Sequence, residues 1–467
     1  MSGGAGQAGT WWQRQRVLPV LHVALFGAVL IASYLHADWT SNDFERFDDL
    51  RLTVLFLVLF LGLSAAHLAL YIGPVALSRG CAFTVVLLGA GMLFASFPVG
   101  SRDVFAYAFF SKIWAYYHAN PFIVAGTQFP ADSWQPYLGR ALARPVAAYG
   151  PLFMWQSWPV GIIAGERLWV AVWLHKAWAG LALLGSLGIA AALLRRSQPA
   201  APAGGAWLLL AWNPALLFEA AGAAHNDIGM VLLLLAALWC WQRERGSAAL
   251  ACLALSFWYK WYSVLFVPAF LLATTRAAGV RAAARQAAFG ALVTAALGWL
   301  LLKPLAGALP MIARQLLHPE KLSGIFPAEL SPPLALLFWA MRAAGGFDSD
   351  WGFRLFDVGR FGLSAALLLA IGARQWRAAP SLAALAESCC LIGLVFCSLM
   401  VTQLWPWHLL PVITLALVCG REPFTLVAVV LTVLALLSYA LTFAIAALTL
   451  GGVAGSLWLL RRWRPAT

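Results

Sequence analysis

The chain is short of charge. Asp, Glu, Lys and Arg make up 10% of its 467 residues, where a soluble domain carries about 25%. With 62% hydrophobic residues and a mean hydropathy of +0.81, this excludes a soluble enzyme and places the chain among polytopic membrane proteins. Cysteine chemistry is missing as well. Cys81, Cys240, Cys252, Cys389, Cys390, Cys397 and Cys419 all lie in apolar runs. None forms a CxxC or a Cys/His cluster, so they read as small core residues with no zinc or disulfide role. There is no internal repeat, no soluble domain and no file of charges through the apolar runs. A transporter would want midplane sites, broken helices and often repeats.

What charge there is sums to +13. This excess does not imply a nucleic-acid partner, because the basic residues fall mostly at the ends of apolar runs, where topology accounts for them. Runs long enough to span, roughly 17–25 residues, lie near 17–35, 52–73, 81–98, 167–194, 205–221, 227–242, 286–306, 353–373, 381–402, 408–420, 424–441 and 443–460. Residues 247–275 read as a short helical hairpin with its tip near "WYKW". The expectation is an all-α membrane bundle of about 12–14 spans. Arg14 and Arg16 before the first run mimic a secretory signal, but no small-residue cleavage site precedes "YLHADW", so the run is kept as an anchor.

With these spans, Arg79, Arg195, Arg196, Arg243, Arg245, Arg276, Arg281, Arg285, Arg374, Arg377 and Arg421 share one side with the two termini. The positive-inside rule makes that side cytoplasmic. The division expected is a tail over 1–16, a membrane pair over 17–80, a core over 81–306 with a first outer loop at 99–166, a second outer loop at 307–352, and C-terminal spans over 353–467. Both loops are too aromatic for disorder. Pieces such as 103–117 and 151–164 predict helices lying on the outer surface.

Four polar clusters fall at outer span ends. In "SRDVFAY", Asp103 either caps the helix that it opens or takes a proton from a sugar hydroxyl. Arg102 beside it suits a phosphate, and Tyr107 shares the helix face of Asp103. In "HANPF" and "YGPLF", Asn120 and Tyr149 can hydrogen-bond a sugar, while Pro121, Gly150 and Pro151 shape the loop. In "WNPALLFEAAGAAHND", a cap needs only one of Glu219, His225, Asn226 and Asp227, and a carboxylate near a span end is costly unless it is paired or faces water. In "SFWYKWYS", Lys260 is either a snorkelling side chain or a counter-charge for a lipid phosphate. His408 in "QLWPWHLLP", and His318, Lys321 and "DSD" at 348–350 in the second loop, are weaker candidates.

The ordered series "SRDVFAYA", "HANPF", "YGPLF", "WNPALLFEAAGAAHND", "FWYKWYSVLFVP" and "QLWPWHLLP" resembles the GT-C fold glycosyltransferases of bacteria, and most closely the polyprenyl-phosphate-mannose-dependent α-mannosyltransferases. The resemblance implies an inverting enzyme in which a carboxylate of the first core loop, here Asp103, is the base. It implies a polyprenyl-phosphate sugar donor, with mannose the expected sugar, and a glycan or glycolipid acceptor outside the membrane. Donor phosphate would meet Arg102, Lys260 and His408. Sugar or acceptor would meet Tyr107, Asn120, Tyr149, Glu219, His225, Asn226 and Asp227. Many such enzymes carry a DxD in this loop and some need a divalent metal. "SRDVF" offers one carboxylate, so no metal is assigned, although Mg or Mn stays an option. Asp38 or Asp43 is the rival base if the first two spans belong to the core. A lipid-linked-sugar flippase, and a polymerase or ligase using lipid pyrophosphates, are the alternative functions.

Overall fold

The computed structural model describes residues 4–35, 50–73, 77–138, 146–197, 205–305, 307–317, 331–344, 350–401 and 404–439. The candidates Asp38, Asp43, His318 and Lys321, most of "DSD" and the span expected at 443–460 lie outside the described residues. The described chain is α-helical with no strand. α1 (Gly4–Ser33), α2 (Leu50–Ile72) and α3 (Arg79–Ala95) come first. Then follow α4 (Asp103–Ala115), α5 (Pro151–Ala164), α6 (Leu168–Ser197), α7 (Gly205–Ala211) and α8 (Pro214–Leu217), which runs into a π-turn (Phe218–Gly222). Next are α9 (Asp227–Gln242), α10 (Gly246–Tyr259), α11 (Val267–Ala278) and α12 (Val280–Leu302). The remaining helices are α13 (Ala308–Leu317), α14 (Pro332–Ala343), α15 (Asp350–Arg377), α16 (Leu382–Val395), α17 (Leu410–Cys419) and α18 (Glu422–Leu437).

Among the described residues, six helical stretches are long and apolar enough to cross a membrane: 51–72, 168–196, 261–278, 280–305, 354–377 and 382–400. A seventh joins 205–222 to 227–242 across a 120° bend. The protein is a multi-pass membrane protein. Further apolar helices are shorter, between 10 and 17 described residues, such as Gly246–Tyr259, where a polar break cuts the apolar run. The break at Lys260, for instance, divides the expected hairpin into α10, a 3₁₀ turn (Trp261–Phe266) and α11. At the N-terminus, α1 begins at Gly4, so helix extends through most of the tail expected over 1–16.

One apolar core joins α1–α11 to α16–α18. A smaller one, with Leu334, Phe338, Phe356 and Leu399, holds α14 and α15 against the end of α16. The two N-terminal helices are built into the large core: α1 packs on α3, and α2 on α18. α4 buries Val104 through Ile113 against α5 and α6. Its amphipathic contrast is weak, since Phe105, Phe109, Phe110 and Ile113 surround it, and a helix apolar all round is buried. Its one lysine is neutralised in place: Lys112 Nζ lies 2.6 Å from Asp132, with both side chains at most 3% exposed. Tyr117 donates to the same carboxylate at 2.5 Å, and the ammonium sits 4.3 Å above the Trp134 ring. Segment 116–138 is thereby pinned to α4.

Three breaks in helix bring polar residues to one place. The first follows α3, whose end is capped by Lys176 of α6. This buried ammonium donates to the carbonyls of Leu93 (3.0 Å) and Ser96 (2.6 Å), the favourable place for a cation on a helix. Gly100 then takes a left-handed φ of +84°, and a Cβ there would stand 2.6 Å from the Tyr439 ring, so only glycine lets the chain turn here. α4 starts three residues later. The second break lies between α8 and α9. Asn213 caps α8 by accepting from the Leu216 amide at 2.9 Å and ties it to α18 by donating to Thr432 at 2.6 Å. The third is at Lys260, whose backbone is extended. There Gly150 donates its amide to the Tyr259 carbonyl at 3.2 Å, and a Cβ on Gly150 would lie 2.1 Å from the Trp258 carbonyl.

Candidate active site

Asp103 opens α4, with its amide bonded to Ser101 Oγ at 3.1 Å. Spacing of four residues puts the Tyr107 hydroxyl above it, donating to Oδ2 at 3.4 Å. The second break supplies the opposite wall. The π-turn carries Glu219, and His225 Nδ1 lies 2.7 Å from its Oε2. The other ring nitrogen, Nε2, faces Asp103 Oδ2 at 3.9 Å. Tyr439, just past α18, donates to both Glu219 oxygens at 2.9 and 3.0 Å. Trp407 stacks on the imidazole with ring centroids 3.9 Å apart, and Trp405 lies parallel to Trp407.

The third break completes the cluster. Lys260 Nζ lies 2.5 Å from Asp227 Oδ2 and donates to Asn226 Oδ1 at 3.2 Å. Tyr262 donates to the other Asp227 oxygen at 3.1 Å. The Tyr107 hydroxyl is 3.5 Å from Asn226 Oδ1, which links the two walls. The Asn226 amide nitrogen Nδ2 is buried without a hydrogen-bond partner. An unsatisfied buried donor costs about 1–3 kcal/mol. Tyr149 meets Tyr107 edge-on at 4.9 Å.

The burial of the carboxylates differs. Asp103 is 17% exposed, while the side chains of Glu219 and Asp227 are fully buried. Asp103 lies outside the membrane-crossing stretches. Burial raises its carboxyl above the usual carboxylate range; His225 and then Lys260 pull it back, and Asp227 pushes it up again. Burial, and next the Asp103 charge, hold the hydroxyls of Tyr107 and Tyr149 well above their ordinary value. Both therefore stay neutral donors at physiological pH.

Of the other candidates, His408 accepts the Trp405 amide on Nδ1 at 3.2 Å and lies beside the cluster. Arg102 is buried, with Nη1 3.4 and 3.5 Å from the carbonyls of Pro136 and Tyr137. Asn120 accepts the Phe122 amide at 3.0 Å, shaping the loop. Tyr262, Trp407 and Tyr439 belong to the cluster but were not among the residues expected there. Tyr262 and Trp407 are inside quoted motifs, next to the charged residues that drew attention. No group of three or more His, Cys, Asp or Glu able to hold a metal occurs among the described residues. Asp227 is engaged by Lys260, and Glu219 by Tyr439 and His225, so this donor set does not fit a divalent ion.

Residues 20–278, just over half of the chain, match the family described as alpha-(1->6)-mannopyranosyltransferase, N-terminal domain. The chain belongs to this mannosyltransferase family. Among individually curated proteins there is no match. The matched stretch runs from α1 through α11 and contains Asp103, Glu219, His225, Asn226, Asp227 and Lys260. Trp407, His408 and Tyr439 lie beyond it and close the site from the C-terminal part of the chain.

Proposed function

We propose that this membrane mannosyltransferase moves mannose from a polyprenyl phosphate to a hydroxyl of an extracytoplasmic glycan or glycolipid, with inversion, using Asp103 as general base. The family description supports an α-(1→6) linkage and hence a 6-hydroxyl as acceptor. The observation that carries the reading is the standing of Asp103. It is the carboxylate of the cluster that reaches the surface, while Asp227 is paired with Lys260 and Glu219 is enclosed.

In the proposed reaction the acceptor oxygen attacks C1 as its proton passes to Asp103. The bond from C1 to the phosphate oxygen breaks on the opposite face, and polyprenyl phosphate leaves. The departing oxygen gains negative charge and needs a cation rather than an acid. Lys260, 16% exposed, supplies it. Asn226, Tyr107 and Tyr149 offer neutral hydrogen bonds to the sugars. An apolar cavity of about 450 Å³ between α10, α11 and α12 is lined by Leu250, Phe257, Trp258, Val264 and Leu271. It begins two residues from Lys260 and suits an isoprenoid tail whose phosphate rests on that ammonium.

We place the protein in the cytoplasmic membrane with both termini inside and the cluster outside, from the side occupied by the short-loop arginines. A flippase would need polar residues along a path through the bilayer, whereas α9 and α10 are apolar along their length. A lipid pyrophosphate donor would want several cations, whereas a monophosphate can be met by Lys260, which reaches the cluster at Asp227 and Asn226. The test is transfer of label from polyprenyl-phosphate mannose by the purified protein in nanodiscs. Asp103→Asn should fold and lose at least 100-fold in rate, the lower range for a general base. Transfer at the wild-type rate would refute the assignment of the base.

A further inference from the structure

The cluster holds three carboxylates, Asp103, Glu219 and Asp227, against one ammonium, Lys260. A phosphate donor adds more negative charge, yet a general base has to stay ionised to work. Glu219 is the least expected member. It is fully buried, opens no helix and caps none, and an isolated carboxylate in such a place costs several kcal/mol. Every described contact of its oxygens is to Tyr439 or His225. Trp407 closes one face of the imidazole. Glu219 Oε2 lies 2.7 Å from Nδ1 of the ring, and Nε2 faces Asp103 at 3.9 Å.

We propose that Glu219 is a positioning residue which acts through His225 to keep Asp103 charged while the anionic donor is bound. The ring lies between two carboxylates, with Glu219 beside Nδ1 and Asp103 beside Nε2. In this arrangement the Glu219 carboxylate favours an N–H on the ring edge that is turned to Asp103. The gap of 3.9 Å is an ion-pair separation, which commonly tightens when substrate closes a site. The other groups around the imidazole are Asp227 and Asn226 from α9, Lys260 beyond α10, His408 from the Trp407 turn, and Tyr439 through Glu219. His225 stands between Glu219 and Asp103, and it is among the groups that favour the ionised form of Asp103. This inference rests on Asp103 being the base.

The experiment is the pH profile of kcat/KM in nanodiscs, with polyprenyl-phosphate mannose as donor and an alkyl mannoside as acceptor. Activity rises with pH as Asp103 ionises. His225→Gln and Glu219→Gln should both move that acid limb to higher pH, with about tenfold less rate per unit of displacement below it. The double variant should match His225→Gln alone, since in this proposal Glu219 acts through the imidazole. Tyr439→Phe, which removes only a hydroxyl from Glu219, gives a milder perturbation should Glu219→Gln fail to fold, and it should move the limb in the same direction. A loss of rate with the limb unmoved in the Glu219 and Tyr439 variants, or additive effects in the double variant, would overturn the proposal. Full activity in Asp103→Asn would instead overturn the base assignment beneath it.

Discussion

Replacing Lys260 by methionine should do two things that a second substitution can separate. Asp227 is fully buried and lies 2.5 Å from the ammonium. Without it, the carboxylate keeps only the Tyr262 hydroxyl at 3.1 Å. Deleting one partner of a buried ion pair costs about 3–5 kcal/mol, because an uncompensated charge stays behind, whereas deleting both is often close to neutral. Lys260→Met should therefore lower the thermal midpoint by several degrees. It should also weaken the donor. A hydrogen bond to a charged group contributes about 1.5–3 kcal/mol, equivalent to about 10- to 150-fold in affinity. The double variant Asp227→Asn/Lys260→Met carries neither charge. It should regain most of the thermal midpoint and still bind donor weakly. Thermal unfolding followed by tryptophan fluorescence reads the first quantity, and competition by polyprenyl phosphate against labelled donor reads the second. If the double variant recovers donor affinity as well, Lys260 serves only to neutralise Asp227, and the phosphate site argued above is wrong.

Two further outcomes follow from burial. The folded Asp103 carboxyl is raised above the unfolded value of about 3.9, so the folded protein holds this proton more tightly. The stabilisation is full below the unfolded value and is lost as pH rises through the folded one. At pH 7.5 Asp103→Asn should unfold no lower than wild type, with the difference closing toward pH 4; a lower midpoint at every pH would contradict this. On α4, Lys112→Met strands the buried Asp132 and should cost about 3–5 kcal/mol, with most of it recovered in Lys112→Met/Asp132→Leu. Faster proteolysis of segment 116–138 in the single variant alone is the check.

The polar residues of the site were legible in the sequence because charge is expensive in an apolar chain. Asp103, Glu219, His225, Asp227 and Lys260 stand out against runs of Leu, Val and Ala, and the structure brings all five into one cluster. Tyr439 was not legible. It follows an apolar run and is 220 residues from the carboxylate that it bonds. Trp407 was hidden by abundance, being one of 24 tryptophans that interface preference alone would explain. Lys176 lies in the first third of α6, among apolar residues. Its purpose shows only when the end of α3 is seen beside it. Local cost can be read from one residue and its neighbours, whereas the partner that offsets the cost is set by packing.

α9 runs for 16 residues, about 24 Å, from Asp227 to the turn that holds Arg243 and Arg245. α10 returns over 14 residues, about 21 Å, and delivers Lys260 beside Asp227. Two consecutive helices thus carry the acidic cluster at one end and arginines at the other, with apolar residues between. Elsewhere in the bundle, Arg374 and Arg421 close on Glu387, which is 5% exposed. That pairing ties α15 to α16 and to the start of α18, the helix whose far end leads to Tyr439. Tyr439 in turn holds Glu219 and packs on Gly100 at the entry to α4. The C-terminal helices, beyond the part of the chain that matches the family, therefore complete the geometry of Asp103. A fragment ending at the family boundary would lack the Tyr439 and Trp407 contacts that clamp Glu219 and His225.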